Sequence, residues 1–403
     1  MRKPLEGIRV LDLSRVLAGP WCSQQLADMG AEVIKIERPG QGDDTRAWGP
    51  PWQAGTHESA YFLSANRGKR SVAVDLASPE GQQLIRDLVS QCDVLIENFK
   101  VGGLKAYGLD YASLKAIKPD LIYCSITGFG QDGPYAHRAG YDFIIQGMGG
   151  LMSLTGQPEG APGGEPMKVG VAVTDIFTGL YAANAILAAL WERERTGEGG
   201  HIDMALLDVQ VGVLANQALN YLTSGTAPRR LGNAHPNIVP YQVFPSADGH
   251  LIVTVGNDGQ FRRFCQVLEC GELADDPRFA TNRARVAHRE SLIPQISQRL
   301  AARPTDHWLA ALEGAGVPCG PINTLDRVFD DIQVRHRGMR LSVPHPVAGQ
   351  VDLVGNPVRI DGQRLEADMP PPTLGEHSDE VLGRLLGLDG EALAGLRQRG
   401  VIG

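Results

Sequence analysis

The sequence predicts an α/β protein: a large domain with a doubly wound, Rossmann-like parallel sheet, and a smaller α+β domain. Two observations support this prediction. In the first half, nearly continuous apolar strands alternate with helical patterns, which is typical of βαβ units. In the second half, a hairpin pattern precedes several amphipathic helices. At 403 residues, the chain also exceeds the size that one hydrophobic core usually serves.

Strands and helices alternate throughout the first part of the chain. A strand over 8–13, a turn over 14–19, a helix over 21–29 and a strand over 32–37 form the first predicted βαβ unit. Further strands are predicted at 71–76, 93–98 and 121–126, with helices at 79–91 and 111–117 between them. Strands connected in this way run parallel, with right-handed crossovers.

The stretch 168–208 is the centre of the functional prediction. A run of small residues precedes Asp175, and apolar residues then recur at three- and four-residue steps as far as Leu190. Gly197 ends this predicted helix, and a short strand follows at 201–206. Asp175 could cap the helix by accepting hydrogen bonds from free N–H groups. It could instead be a nucleophile beside a loop that admits a bulky substrate. The position alone favours the cap.

A segment rich in Pro, Gly and Asn leads into the second domain. A helix over 209–222 precedes it, and the segment itself covers 223–240. The smaller domain then starts with a hairpin of strands 241–244 and 250–255 and continues in helices. Strands near 351–360 and a helix pair over 378–398 are predicted in the remainder.

Composition excludes several classes of function. The formal net charge is −8 without a block of basic residues, so neither nucleic acid nor an anionic membrane surface is a predicted partner. The longest apolar run, 179–191, is too short to span a bilayer, and the N-terminus has no apolar signal core. The 6 cysteines and 10 histidines lack metal-ligand spacing. We therefore expect no metal, reduced thiols and a cytoplasmic location.

Common nucleotide and nucleophile motifs are missing from this sequence. Glu37 ends the first βαβ unit as in a dinucleotide-binding fold, but the preceding turn has no G-x-G-x-x-G. G-x-S-x-G does not occur either. Arg38 is either a surface residue or a cation that reaches a phosphate. Segments 38–69 and 128–164 are long and rich in glycine, and the first also carries basic residues. Together with the single carboxylate of Asp175, these features suit the binding of an anionic, phosphate-bearing acyl carrier.

Seven short segments, in order, resemble the class III CoA-transferases, the group of formyl-CoA and carnitine CoA-transferases. They begin at Leu5, Ala31, Gly42, Asn66, Asp93, Gly128 and Val173, and read LEGIRVLDLSRVLAGP, AEVIKIERP, GDDTR, NRGKRS, DVLIENF, GFGQDGPY and VTDIFTG. The resemblance implies that Asp175 is the nucleophile, which forms a mixed anhydride and then an aspartyl-CoA thioester. It implies a CoA thioester as substrate and no tightly bound cofactor.

The resemblance also implies which residues surround the substrate. A glycine-rich loop at 256–260 would cover the site, with Gly259 and Gln260 contributing to catalysis. CoA would be bound by Val16, Leu17, Ala18, Arg38, Asn98, Phe99, Lys105, Arg138 and Tyr141. Leu17 stands where formyl-CoA transferase has a glutamine, and Ala106, beside Lys105, stands where that enzyme uses an arginine.

Two other functions are compatible with the same fold. The α-methylacyl-CoA racemases use a histidine in a G-H-D segment for proton transfer, where this chain has Gly140-Tyr141-Asp142. A tyrosine does not readily accept a proton near neutral pH, which disfavours this alternative. A non-catalytic CoA-binding protein is the other alternative, and a measurement of activity distinguishes it.

The second half looks similar to the succinyl-CoA:glutarate branch of the family. The similar segments are NYL at 220–222, LGNAHPNIVPYQ at 231–242, GVPCGPIN at 316–323 and HPVAG at 345–349. This similarity implies transfer of CoA from succinyl-CoA to a dicarboxylate. Arg46, Arg138 and His235 are the candidates to hold the second carboxylate of that acceptor.

The resemblance further implies how the chain is divided and assembled. Residues 1–222 would form the N-terminal part of the large CoA-binding domain, 223–240 the linker and 241–330 the small domain. Residues 331–403 would form a return linker and the C-terminal part that completes the large domain. Two chains would interlock as a homodimer.

Overall fold

The computed structural model describes residues 3–403, and its contacts divide the chain into two compact units. The first unit contains the chain up to Leu151 together with Val169–Ala218 and Ile332–Gly403. The second contains Met152–Lys168 and Leu219–Asp331. The short segment Met152–Lys168 therefore groups with the second unit, which no sequence pattern indicated.

A six-stranded parallel sheet forms the centre of the first unit. Its strands are β1 (Arg9–Asp12), β2 (Glu32–Glu37), β3 (Lys69–Ala73), β4 (Val94–Glu97), β5 (Ile122–Thr127) and β6 (Gly200–Ala205). They pair in the order β3-β2-β1-β4-β5-β6, which is the order of a dinucleotide-binding fold. Leu11 on the central β1 lies opposite Ile34 on β2 and Leu95 on β4. The prediction of a doubly wound parallel sheet is confirmed.

Helices connect these strands, cover both faces of the sheet or follow its last strand, and the last of them continues past Ala218 into the second unit. They are α1 (Ala18–Asp28), α2 (Ala60–Ser64), α3 (Pro79–Ser90), α4 (Tyr111–Ile117), α5 (Asp142–Met148), α6 (Val173–Thr196), α7 (Leu206–Gly212) and α8 (Ala215–Ser224). Short 3-10 turns occur at Asp44–Ala47, Lys105–Tyr107 and Leu151–Ser153. Ser78 begins α3 by accepting a hydrogen bond from the Gly81 N–H, and Pro79 occupies the first helical position.

The strands contribute to two hydrophobic cores, one on each face of the sheet. Leu11 and Leu95 belong to the core that α3 and α4 cover. Val10 and Val94, their direct neighbours along the strands, belong to the core under α1 and α6. Because successive residues of a strand point to opposite faces, strands buried on both sides must be apolar almost throughout.

Several predicted boundaries differ from the observed ones. The strand predicted at 71–76 lies at Lys69–Ala73, and Val74 forms an isolated bridge with Ile402 instead of continuing β3. The single helix predicted over 209–222 is divided into α7 and α8. Ala215 has a φ of +46°, which a continuous right-handed helix does not accommodate.

α6 is longer than the apolar run that the sequence predicted to be too short for a bilayer. It has 24 residues, and its most apolar 18-residue window has a mean hydropathy of 1.5. Length and composition alone would therefore allow it to cross a membrane. Core helices of soluble proteins pass the same test, and α6 packs against α1, β5 and β6. One such helix is weak evidence for a membrane segment.

The second unit combines a small antiparallel sheet with helices. Its elements are β7 (Tyr241–Pro245), β8 (His250–Thr254), α9 (Asp258–Val267), α10 (Gly271–Asp275), α11 (Asn282–Ala287), α12 (Arg289–Leu300), α13 (Thr305–Gly314), β9 (Cys319–Pro321) and α14 (Leu325–Asp330). The predicted hairpin is present as β7 and β8, and β9 pairs with β8. Phe264, Leu292 and Trp308 belong to the core of this unit.

The C-terminal part of the chain extends the first unit. It consists of α15 (Ile332–His336), β10 (Arg340–His345), β11 (Gly349–Val354), β12 (Arg359–Ile360), β13 (Gln363–Arg364), α16 (Ser378–Leu386) and α17 (Gly390–Gln398). β10 and β11 form an antiparallel hairpin, of which the sequence predicted only the second strand. α16 and α17, the predicted helix pair, add Val381, Leu382 and Leu393 to the core shared with α3.

Candidate active site

Asp175 lies in the first turn of α6, two residues after its start. Ala172 occupies the cap position and provides no side-chain hydrogen bond. Asp142, at the start of α5, supplies the acceptor instead. Its Oδ1 accepts hydrogen bonds from the backbone N–H of Thr174 at 2.8 Å and of Asp175 at 3.3 Å. The cap interpretation of Asp175 is therefore wrong, because another carboxylate caps this helix.

The carboxyl group of Asp175 is poorly solvated. Burial first, and the negative charge of Asp142 second, raise the pKa of Asp175 to about 7. Both the protonated and the ionised form of the group are therefore populated near neutral pH. Because water stabilises its charged form less than usual, this form is well suited to act as a nucleophile.

A cavity of about 460 Å³, the main cavity, opens beside Asp175. The turn before α1, the end of β4 and the loop before α5 contribute to its wall. In α/β proteins, ligands bind at the carboxyl ends of the parallel strands, and this cavity lies at that edge. Eight of the predicted site residues line it: Asp175, Val16, Leu17, Ala18, Asn98, Phe99, Arg138 and Tyr141.

Two other predicted CoA-binding residues line neighbouring cavities. Arg38 borders a cavity of about 370 Å³ that shares Arg15 and Phe99 with the main cavity. Lys105 borders one of about 280 Å³ that shares Lys100 with it. Their common lining residues make these cavities neighbours along one edge of the sheet. From Asp175, an extended ligand can therefore continue towards the cavity beside Arg38 or towards the one beside Lys105.

Both ends of the Asn98 side-chain amide form hydrogen bonds with the backbone of the turn between β1 and α1. Its Oδ1 accepts from the Arg15 N–H at 2.9 Å, and its Nδ2 donates to the Arg15 carbonyl at 2.7 Å. The Arg15 guanidinium in turn lies 5.6 Å from the centre of the Phe99 ring. Asn98 therefore shapes the wall of the main cavity rather than offering a free amide to a ligand.

Arg46 is not available to hold a substrate carboxylate, contrary to the prediction. Its guanidinium donates to Glu37 at 2.7 and 2.8 Å and to Glu58 at 2.8 Å. It also stacks 3.6 Å from the centre of the Phe62 ring and is only 7% exposed. Buried charges require paired partners, and these two glutamates already satisfy Arg46.

Other cations of segment 38–69 are used inside the first unit as well. Arg67 pairs with Asp28 through an Nε–Oδ1 bond of 2.8 Å, and Lys69 Nζ lies 3.2 Å from Asp12 Oδ2. Both cations are buried. This long segment therefore contributes mainly internal ion pairs rather than a basic surface for phosphates.

His235, in the second unit, is a poor candidate for holding a carboxylate. Its Nδ1 accepts a hydrogen bond from the Asn237 N–H at 3.0 Å. Burial first, and the charge of Arg289 second, lower the pKa of His235 below its ordinary value. The imidazole is therefore neutral near pH 7 and attracts an anion only weakly.

Arg138 remains as a cation in the main cavity. Its guanidinium lies 4.7 Å from the centre of the Tyr135 ring and 5.3 Å from that of Phe129. Across residues 3–403, the contacts of its side chain are these two rings, and no ion pair or side-chain hydrogen bond engages it. Arg138 is thus held in place by two rings while its charge is available to an anion.

Gly259 and Gln260 lie in the first turn of α9 in the second unit, so only the start of the predicted loop at 256–260 is a loop. The Asn257 side chain caps α9 by accepting from the Gln260 N–H at 2.9 Å. Gln260 Oε1 in return accepts from the Gly256 N–H at 2.7 Å. These reciprocal bonds resemble a capping box and give the start of α9 a defined shape. The catalytic role of Gly259 and Gln260 stays a prediction.

Sequence reasoning missed two residues near the nucleophile, Asp142 and Tyr61. The pKa of Tyr61 is raised to about 12 by burial and by the charges of Asp175, Asp142 and Asp43, so its phenol stays protonated. Asp142 was detectable, because it follows Tyr141 in the segment compared with the racemases. Tyr61 lies on the short helix α2, and no motif marks it.

The fold and the cavity together define an α/β protein with a poorly solvated carboxylate, Asp175, at the carboxyl edge of a parallel sheet. The chain belongs to CoA-transferase family III, whose sequence profile matches residues 5–378. It is therefore a class III CoA-transferase, and CoA thioesters are its substrates. The family resemblance seen in the seven sequence segments is confirmed.

Similar proteins span almost the whole chain. It is 55% identical over 388 residues to a succinate–glutarate CoA-transferase of Agrobacterium fabrum, covering 95% of this chain and 96% of that protein. It is 46% identical over 400 residues to the succinyl-CoA:glutarate CoA-transferase of Homo sapiens, covering 99% and 90%. The crystal structure of a CAIB/BAIF family protein from Brucella suis matches with a TM-score of 0.85 at 54% identity, covering 96% and 100%.

Proposed function

We propose that this protein moves CoA from succinyl-CoA to glutarate, or to a dicarboxylate of similar length, and that Asp175 carries the CoA between them. The observation that carries the proposal is the poorly solvated Asp175 carboxylate, with a pKa of about 7, at the wall of the main cavity. The relatives from Agrobacterium fabrum and Homo sapiens, by their names, support this donor and acceptor.

The reaction consists of two half-reactions that each pass through an anhydride. An Asp175 oxygen attacks the thioester carbonyl of succinyl-CoA, and the C–S bond breaks to give a succinyl-aspartyl anhydride and CoA thiolate. The thiolate attacks the aspartyl carbonyl, which releases succinate and leaves an aspartyl-CoA thioester. Glutarate attacks that thioester and displaces the thiolate. The thiolate then attacks the glutaryl carbonyl, which gives glutaryl-CoA and restores the Asp175 carboxylate.

These steps balance without a net proton transfer, because the thiolate is a good leaving group. What the site must supply is an ionised Asp175 and donors for the tetrahedral oxyanions. Tyr61 is one candidate donor, since its phenol is protonated at neutral pH and lies close enough to Asp175 for their charges to interact. Backbone N–H groups of the glycine-rich loops are the other candidates.

Arg138 is our candidate for the group that holds the second carboxylate of the acceptor. It lines the same cavity as Asp175, and two aromatic rings orient it. An arginine binds a carboxylate with paired hydrogen bonds and remains charged at every relevant pH. A dicarboxylate could thus react at one end while Arg138 fixes the other.

Kinetics of Arg138→Met test this role. We expect the KM for glutarate to rise at least about tenfold, since a charged hydrogen-bonded partner is worth about 1.5–3 kcal/mol. The KM for butyryl-CoA, a donor without a second carboxylate, should not change. A rise in the KM for butyryl-CoA instead would assign Arg138 to CoA binding.

A trapping experiment tests the covalent mechanism. The protein is incubated with succinyl-CoA, treated with hydroxylamine, and mapped by mass spectrometry. We expect one modified peptide, with the modification on Asp175, and none in Asp175→Asn. Absence of modification together with exchange of the α-hydrogen of an acyl-CoA would identify a racemase. Binding of CoA without either reaction would identify a non-catalytic CoA-binding protein.

The assembly and location are also proposals. α6 exposes large apolar side chains, including Phe177 at 39%, Tyr181 at 48% and Trp191 at 69%. Such a surface supports an interlocked homodimer that covers it, and a stable monomer in sedimentation would contradict this. The 6 free cysteines, 5 of them buried, support a cytoplasmic location, which cell fractionation tests.

A further inference from the structure

The turn between β1 and α1 contains a residue in an unfavourable backbone conformation. Val16 has a φ of +72°, in the left-handed region that β-branched residues rarely adopt. It lines the main cavity next to Leu17 and Ala18. Backbone conformations of this kind persist only when surrounding contacts determine them, and they are frequent at ligand sites.

Asp43 provides such a contact from the loop that follows β2. The Val16 N–H donates to both carboxylate oxygens of Asp43, at 3.2 and 3.3 Å. Lys35 Nζ donates to the same carboxylate at 2.9 Å, and the Thr45 hydroxyl donates to it at 2.8 Å. Asp43 is 1% exposed, and the charge of Lys35 helps to lower its pKa to about 2, so it stays ionised.

The residues before Val16 are held in the same way. Lys35 Nζ donates to the Ser14 carbonyl at 2.9 Å, and the Ser14 N–H donates to Asp12 at 2.9 Å. Arg15 is fixed through both backbone groups by Asn98. Side chains from β1, from β2 and from the residue after β4 thus satisfy the backbone groups of this turn. The turn is therefore pre-organised before any ligand arrives.

We propose that Asp43, held by Lys35, is a positioning residue that keeps the Val16 turn in its CoA-binding conformation. Asp43 does not line the main cavity, although it borders the neighbouring cavity of about 370 Å³, and its hydrogen bonds to Val16 connect it to the main-cavity wall. The inference rests on the proposed placement of the CoA thioester in the main cavity. Asp43 is the second residue of the GDDTR segment. The proposal gives it a function although it is not part of the wall of the main cavity.

Asp43→Asn tests this role, because it keeps the shape of the side chain and removes its charge. Without the charge, the turn should relax towards a negative φ at Val16, and only part of the molecules would remain competent to bind. We expect the Kd of CoA, measured by calorimetry, to rise about tenfold. The kcat at saturating succinyl-CoA should fall much less, since bound ligand restores the turn.

A second substitution distinguishes positioning from a structural role. Glycine adopts positive φ without the cost that valine has, so Val16→Gly added to Asp43→Asn should lower the Kd again by several-fold. Asp28→Asn, which disrupts the buried Arg67 pair away from the main cavity, is the matched control. It should lower the Tm without changing the Kd of CoA.

Two outcomes would overturn the proposal. Asp43→Asn could lower the Tm as Asp28→Asn does and bind CoA like the wild type, or Val16→Gly could fail to restore binding. If Asp43→Asn does not fold, Thr45→Val replaces it, because this change removes one bond to Asp43 and leaves its charge. Wild-type protein that binds CoA without accepting glutarate would contradict the proposed substrate and not this inference.

Discussion

Buried carboxylates occupy two different environments within the first unit. Glu37 and Asp43 each contact a cation, Arg46 at 2.7 Å and Lys35 at 2.9 Å, and the pKa of each lies below its ordinary value. Asp175 has the carboxylate of Asp142 nearby instead, and burial and that charge raise its pKa to about 7. The comparison teaches that the partner of a buried carboxylate decides whether it stabilises the fold or remains reactive.

The largest effect should follow from removing the unpaired carboxylate. Asp175→Asn cannot form the anhydride, so we expect the kcat for succinyl-CoA and glutarate to fall at least about a thousandfold. Turnover within tenfold of the wild type would show that Asp175 is not the nucleophile.

Breaking a paired carboxylate should instead affect stability. Arg46→Met leaves Glu37 and Glu58 without their cation, so we expect urea unfolding to show a loss of about 3–5 kcal/mol. Arg397→Met, in the exposed pair with Asp379, serves as control and should cost less than about 1 kcal/mol. Equal losses in both variants would contradict the role assigned to the buried pair.

The same comparison predicts that Asp175→Asn stabilises the protein. A carboxyl group with a raised pKa favours the folded state only while it is protonated, so its ionisation costs stability as the pH rises from about 4 to about 7. We expect a gain of about 2 kcal/mol at pH 8, allowing for partial solvation, and none below about pH 4. A pH-independent difference would show that the carboxyl charge is not its origin.

The smallest effect concerns the neighbour of the nucleophile. Because only ionised Asp175 attacks, kcat/KM should fall as the pH decreases below about 7. Asp142→Asn keeps an oxygen acceptor for the Thr174 N–H and removes the like charge, so this limb should move to lower pH. The shift should be less than about one unit, since burial is the larger cause. An unchanged profile would exclude this coupling.

Much of the site was predictable where the family resemblance names the residue. Val16, Asn98 and Asp175 were named in this way and line one cavity, where the carboxyl ends of β1 and β4 meet the start of α6. The wrong prediction concerns which charged side chains form ion pairs inside the protein. From the sequence, Arg46 was a candidate to bind a substrate carboxylate. In the structure, it forms ion pairs with Glu37 and Glu58 instead.

The sequence by itself determined the parallel sheet, the order of its elements and the family. Apolar periodicity and local motifs are properties of neighbouring residues, so they can be read without a structure. Only the tertiary structure decided which carboxylates are paired, that Asp142 caps the helix of Asp175, and that Asp43 holds Val16. These contacts join residues far apart in the chain, and the burial that determines their charge exists only after folding.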